Sequence, residues 1–153
     1  MASDAPKPAD DAADPVSLDA DWQRLWFATM SSNWTSLAIV PSDIGIDAEQ
    51  TAEALVSVGS GEGSVQVAFL DARGTTLTQV QQLLEQMKEM TRRGERVVVA
   101  VDPLKKNPAA IPVVRATSHA LLLVRTGESR LASARTTVEI IGTDRLIGSV
   151  VVT

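Results

Sequence analysis

The chain has 153 residues, of which 44% are hydrophobic, and this is enough for one domain with a sizeable core. It has no cysteine, which excludes disulfides, a thiolate nucleophile and thiolate metal ligands. Six of the 19 acidic and one of the 14 basic residues lie in the first 21 positions, so the remaining 13 acids and 13 bases balance and no basic excess indicates a nucleic-acid-binding face.

The opening segment, residues 1–16, is rich in alanine, aspartate and proline. It has few large apolar side chains to offset the entropy of ordering, so we expect a disordered tail before a single domain at 17–153. The sequence has neither a signal-peptide pattern nor an apolar run long enough to span a bilayer, and we therefore expect a cytoplasmic protein.

An amphipathic helix is predicted at 18–32, with Ser17 as a possible cap. Five side chains recur at the spacing of one helical face: Trp22, Leu25, Trp26, Thr29 and Met30. Trp22 and Trp26 therefore share a face. They either pack on the core of the domain or bind a partner protein, and they are the candidate partner-binding residues.

From residue 36 onward, apolar runs alternate with helical patterns. The predicted strands lie at 37–40, 65–70, 96–101, 120–124 and 146–152, and the predicted helices at 47–58, 77–92, 108–117 and 129–141. The strands are continuous runs of Val, Ile and Leu, which is typical of parallel strands buried on both faces. The pattern predicts an α/β fold of three layers, with a mainly parallel five-stranded sheet between helices.

Local signals mark several helix ends. Thr76 and Gln79 have the spacing of a capping box, Gly94 follows the helical pattern they begin, and Asn107 stands as a cap before Pro108.

In such folds ligands bind beyond the carboxyl ends of the strands, so the candidate site lies in the loops at 41–47, 71–74, 102–107 and 125–129. A phosphate-binding loop needs several glycines and a lysine. The first of these loops has one glycine, Gly45, and no lysine. Asp47 and Gln50 instead have capping-box spacing and Glu49 lies in the first turn, where carboxylates satisfy the helix's own N–H groups and repel a triphosphate.

Other polar residues of these loops have two interpretations. Asp71 and Asp102 each follow a strand, where an acid either binds Mg²⁺ or caps a turn. Asp43 and Lys105 do not have the arrangement of a phosphoacceptor site. His119 is the only histidine and begins an apolar strand, so we expect it to be structural.

Four segments carry a family resemblance: SLAIVPSDIGIDAEQTAEAL, VAFLDARG, VVVAVDPLKKNPAAIPVVRATSHALLLVRTGESRLASARTTVEIIG and LIGSVVV. Their order, after a leading helix, resembles the cytoplasmic domain of bacterial polysaccharide-biosynthesis tyrosine autokinases, which belong to the MinD/ParA class of deviant Walker P-loop ATPases.

The resemblance implies a Walker A motif with a glycine-glycine-lysine-threonine core. In this chain Gly45 is retained, whereas Asp47 stands at the second glycine, Ala48 at the lysine, and Glu49 and Gln50 at the hydroxyl residues that bind Mg²⁺. The motif is thus degenerate at the positions that hold the nucleotide.

Other motifs of the family are also incomplete. Asp71 and Arg73 match part of Walker A′, and Ala100 stands at the Walker B acid unless the register shifts to Asp102. The chain has no tyrosine, so the family's autophosphorylation cannot occur in cis. Asp21 and Arg24 match two positions of the family's Glu-x-x-Arg-x-x-Arg assembly helix, and Phe27 replaces the last arginine.

The resemblance and its gaps predict a protein that is not an enzyme and needs no cofactor or metal. We expect an adaptor or regulator in bacterial cell-surface polysaccharide biosynthesis or export. Its expected partner is a membrane chain-length or export protein, or an active kinase, which recruits it to the inner membrane. The alternative is a MinD/ParA-type ATPase with an atypical site, in which Asp71 and Asp102 bind Mg²⁺ and Lys105 or Lys106 binds a phosphate.

Overall fold

The structure is a computed structural model that describes residues 15–63, 65–126 and 130–152. Its helices are α1 (Pro15–Met30), α2 (Glu49–Glu62), α3 (Leu77–Arg92), α4 (Ala110–Ala116) and α5 (Arg130–Ile141). Its strands are β1 (Ser36–Pro41), β2 (Val67–Asp71), β3 (Arg96–Ala100), β4 (His119–Arg125) and β5 (Leu146–Val152).

The five strands form one sheet in the order β2-β3-β1-β4-β5, and each neighbouring pair is parallel. This confirms the predicted α/β class and the parallel sheet. Among the described residues, no helix has both the length and the apolar character needed to cross a membrane.

The sheet separates two apolar clusters, which gives the predicted three layers. One cluster packs under α3, α4 and α5, and the other packs under α1 and α2. Along β1, Ala38 and Val40 lie in the first cluster, whereas Leu37 and Ile39 lie in the second. Because β1 is covered on both faces, all its residues are buried, which explains the unbroken apolar run.

The N-terminal helix begins earlier than predicted. α1 starts at Pro15, a residue whose fixed φ suits the first position of a helix, so Ser17 lies inside the helix and is not its cap. Residues 15 and 16, which the sequence placed in the tail, therefore belong to α1. The rest of the predicted tail, 1–14, lies outside the described residues.

The other helix ends agree with the local signals to within a few residues. The Gln79 side chain accepts the Thr76 N–H at 3.1 Å before α3, and Gly94, with φ of 86°, follows its end. α4 begins at Ala110, two residues after Pro108, because Asn107 closes a turn in front of it.

The largest difference is in α2, which was predicted at 47–58 and runs from Glu49 to Glu62. It continues through Gly59, and ends before Gly63, which has φ of 83° and forms the left-handed C-cap. Gly59 is buried against the ring of Trp26. The close packing of α1 on α2 therefore requires a residue without a side chain at position 59.

Candidate functional site

The loops that follow β1, β2 and β3 meet at the carboxyl edge of the sheet, at 42–48, 72–76 and 101–109. The loop after β4 begins at Thr126, and its residues 127–129, part of the candidate loop at 125–129, lie outside the described part of the chain. Side-chain hydrogen bonds connect the three described loops to one another. Ligands of parallel α/β folds bind at this edge.

Arg73, in the loop after β2, binds three carboxylates. Its Nε and Nη2 donate to the two carboxylate oxygens of Asp71, each at 2.9 Å. Its Nη1 donates to Asp47 Oδ1 at 3.0 Å and to Glu49 Oε1 at 3.2 Å. The planar guanidinium therefore ties the start of α2 to the end of β2.

These bonds change the acidity of the pair at the end of β2. Hydrogen bonds from Arg73 hold the pKa of Asp71 below its ordinary value of 3.8, and partial burial opposes this effect. The Asp71 carboxylate in turn raises the pKa of Arg73. Both side chains are therefore charged across the physiological range.

One N–H group at the start of α2 also has a side-chain acceptor within the chain. Asp47 Oδ1 accepts the Glu49 N–H at 2.9 Å, while Ala48, the residue before the helix, makes no side-chain cap. Asp47 thus satisfies a helix N–H as predicted. The N–H belongs to Glu49 and not to Gln50, because the helix begins two residues later than predicted.

The charge balance at this place disfavours an anion. Asp47, Glu49 and Asp71 carry three negative charges around the single positive charge of Arg73. The positive end of the α2 dipole already faces Asp47 and Glu49. A phosphate group would have to compete with all three carboxylates for one guanidinium and would be repelled by them.

A hydrogen bond from the end of β4 holds the tip of the loop after β1. Gly45 has φ of 95°, which favours glycine, and Arg125 Nη2 at the end of β4 donates to the Gly45 carbonyl at 3.1 Å. Next to it, Ile44 is 53% exposed. The tip therefore presents an apolar side chain to solvent from a backbone that is fixed on both flanks.

Asp102, in the loop after β3, binds the loop after β2. Its Oδ2 accepts the Gly74 N–H at 2.7 Å and the Asn107 side-chain amide at 3.1 Å. The same Asn107 amide donates to the Thr75 carbonyl at 2.9 Å. Asp102 therefore has the structural, turn-bridging environment that was one of its two predicted interpretations.

The two lysines after β3 point to different places. Lys105 Nζ donates to Ser133 Oγ on α5 at 2.9 Å and lies 4.0 Å from Asp43 Oδ1. Lys106 lines a cavity of about 320 Å³ between the loops. The other residues around this cavity are Gly45, Ile46, Asp47, Ala48, Arg73, Val101, Asp102 and Pro103.

No group of three or more acidic or histidine side chains with an arrangement suited to a metal ion occurs within residues 15–63, 65–126 and 130–152. His119 begins β4 at the opposite edge of the sheet, where its Nδ1 lies 3.3 Å from Ser118 Oγ. The carboxylates at the carboxyl edge are spaced around Arg73 and the loop amides.

The two predicted partner-binding tryptophans differ in exposure. Trp26 is 1% exposed and packs edge-on against Trp34, with 5.8 Å between ring centroids. It is a core residue and offers no surface to a partner in this fold. Trp22 is only partly buried, and Phe27 on the same helix is 58% exposed.

The part of α1 that resembles the family's assembly helix forms a local ion pair. Arg24 Nη1 lies 2.6 Å from Asp21 Oδ1, and both side chains are exposed. The first two matching positions are thus paired with each other, one turn apart. The third is the exposed Phe27.

Two residues that organise the site have roles that were not predicted from the sequence. Arg73 was noted as part of a motif, but its bonds to the start of α2 join positions 26 and 24 residues apart. Asn107 was predicted as a cap, and its Oδ1 does accept the Ala109 N–H at 3.2 Å, but its amide also connects two loops. The only sequence signal for the ion pairs of Arg73 was its charge, opposite to that of the acids at 47 and 49. Opposite charges alone do not predict which residues are in contact.

No family model and no curated protein matches this sequence. Solved structures do match it. The crystal structure of the chimerical protein CapA2B2 matches with a TM-score of 0.72 and 11% identity, over 95% of this chain and 88% of that one.

Two kinase domains match over similar lengths. The kinase domain of the Escherichia coli tyrosine kinase ETK matches with a TM-score of 0.67 and 14% identity, over 83% of this chain and 70% of that one. The BceF tyrosine kinase domain matches with a TM-score of 0.64 and 16% identity, over 89% and 76%. At these identities the likeness is one of fold, and the chain has the α/β fold that these tyrosine kinase domains share.

Proposed function

We propose that this chain is a non-catalytic adaptor or regulator, derived from a tyrosine autokinase or P-loop ATPase domain. It acts by protein–protein interaction in bacterial cell-surface polysaccharide biosynthesis or export. Its fold likeness to the ETK and BceF kinase domains and the resemblance of its segments to the autokinase family support this origin.

The observation that carries the proposal is the ion network of Arg73. In a nucleotide-binding domain the start of the helix after β1 is left open for phosphate. Here Asp47 and Glu49 occupy it, and Arg73 holds both in place. The loop is ordered by groups of the chain itself and has no need of a nucleotide.

Catalysis is also unsupported by the residues present. Phosphoryl transfer depends on positioning the phosphates and neutralising their charge with Mg²⁺ and a lysine. The loop from 41 to 51 has no lysine, and Glu49 and Gln50 stand where the family has metal-binding hydroxyls. The absence of tyrosine removes the family's own phosphate acceptor.

The partner contacts the carboxyl edge and the accessible face of α1. The proposed contact elements are the loop at 42–49, where Ile44 is exposed, and the accessible surface of Trp22. The partner is a membrane chain-length or export protein, or an active kinase of the same pathway, and it brings the chain to the inner membrane.

Calorimetric titration with ATP and Mg²⁺ tests the central claim. We expect no binding heat for the natural chain. A matched variant, Asp47→Gly with Ala48→Lys and Glu49→Thr, removes two carboxylates and restores the missing cation, and we expect it to bind. A clear binding isotherm for the natural chain refutes nucleotide independence. If the rebuilt variant also gives no binding heat, Asp47 and Glu49 are not the reason that the natural chain fails to bind ATP.

Association with the pathway is tested separately. A purified chain-length protein or active kinase from the same polysaccharide system is mixed with the natural chain, with Ile44→Arg, and with Leu77→Arg, which changes a side chain that is 77% exposed on α3. We expect Ile44→Arg to weaken the complex at least tenfold and Leu77→Arg to leave it unchanged. Equal binding of all three chains refutes the contact surface.

One observation favours a second candidate, a MinD/ParA-type ATPase with an atypical site. The cavity of about 320 Å³ brings Arg73, Lys106 and Asp102 together at the edge where such proteins hold phosphates. In this version Asp71 and Asp102 bind Mg²⁺ and Lys106 binds a phosphate. It requires Arg73 to release Asp71, and the same titration, with and without Mg²⁺, decides between the two functions.

A further inference from the structure

We draw no further inference here: the strongest candidate, the cavity of about 380 Å³ between α3 and the starts of β1 and β4, is lined by Glu85 and Lys88 on the exposed face of α3 and by serine hydroxyls that already bond to the backbone, and nothing in the structure shows what occupies it.

Discussion

The packing of Gly59 against Trp26 leads to a prediction of opposite signs for two similar substitutions. A Cβ at Gly59 would lie 2.5 Å from Trp26 Cη2 and 2.7 Å from Cζ3, which is closer than side-chain atoms approach without displacement. Gly61, two residues later in α2, has nothing within 4 Å of a Cβ. Both glycines lie in the helix and neither has a positive φ.

The expected magnitudes follow from helix propensity and overpacking. Glycine to alanine in a helix gains about 0.5–1 kcal/mol, and this is the expected stabilisation for Gly61→Ala. Overpacking of a tight core costs about 1–3 kcal/mol. The Trp26 ring cannot swing aside, because it is 1% exposed and packed against Trp34. Gly59→Ala should therefore destabilise the fold by about 1–2 kcal/mol.

Urea unfolding followed by far-ultraviolet circular dichroism measures both changes without using the tryptophans as the probe. Each kcal/mol also corresponds to a shift of about 2–4 °C in Tm for a chain of this length. In a Trp26→Leu background the clash is gone, and Gly59→Ala should become stabilising like Gly61→Ala. If Gly59→Ala proves as stable as Gly61→Ala in the natural background, α1 does not pack on α2 as described.

Three further changes concern the loops and strand starts. The pKa of Asp71 is lower in the folded than in the unfolded chain, so its stabilising contribution is present above its ordinary pKa of 3.8 and is lost as the pH falls through the lower folded value. Asp71→Asn should therefore flatten the dependence of stability on pH in that acidic range. An unchanged acid-unfolding profile would contradict the bonding to Arg73. Asn107→Ala should cost about 1–3 kcal/mol in chemical denaturation because the Thr75 carbonyl loses this donor and Asp102 Oδ2 keeps only the Gly74 N–H of its two donors, whereas Lys106→Ala should stay within about 0.5 kcal/mol. Ser118→Ala should cost about 1–3 kcal/mol, since the Ser118 hydroxyl accepts two backbone N–H groups and donates to a carbonyl at the start of β1; a change below about 0.5 kcal/mol would show that water replaces the hydroxyl.

Much of the fold was predictable because its signals are local or periodic. An unbroken apolar run such as the one around Ile39 indicates a strand that is buried on both faces. The alternation of such runs with helical patterns predicts a parallel sheet between helices. The cap at Thr76 and the glycine at 94 act within a few residues of themselves, so their effect is visible in the sequence. The lack of a lysine before α2 is likewise a property of the sequence.

The site depended on contacts between residues that are distant in the chain. Arg73 meets Asp47 because β1 and β2 both lie parallel to β3, which brings the loops after them to the same edge. Trp26 belongs to the core because Gly59, 33 positions later, leaves room for its ring, while the helical pattern alone left it as available to a partner as Trp22.

The class of fold and the missing chemical groups can therefore be read from the amino-acid sequence without a structure. Those follow from composition and from periods of two to four residues. Only the three-dimensional fold placed Arg73 against the carboxylates at the start of α2, Lys106 and not Lys105 beside the cavity, and β5 at an edge of the sheet. Strand order and register set these three features, and neither is encoded in any short stretch of residues.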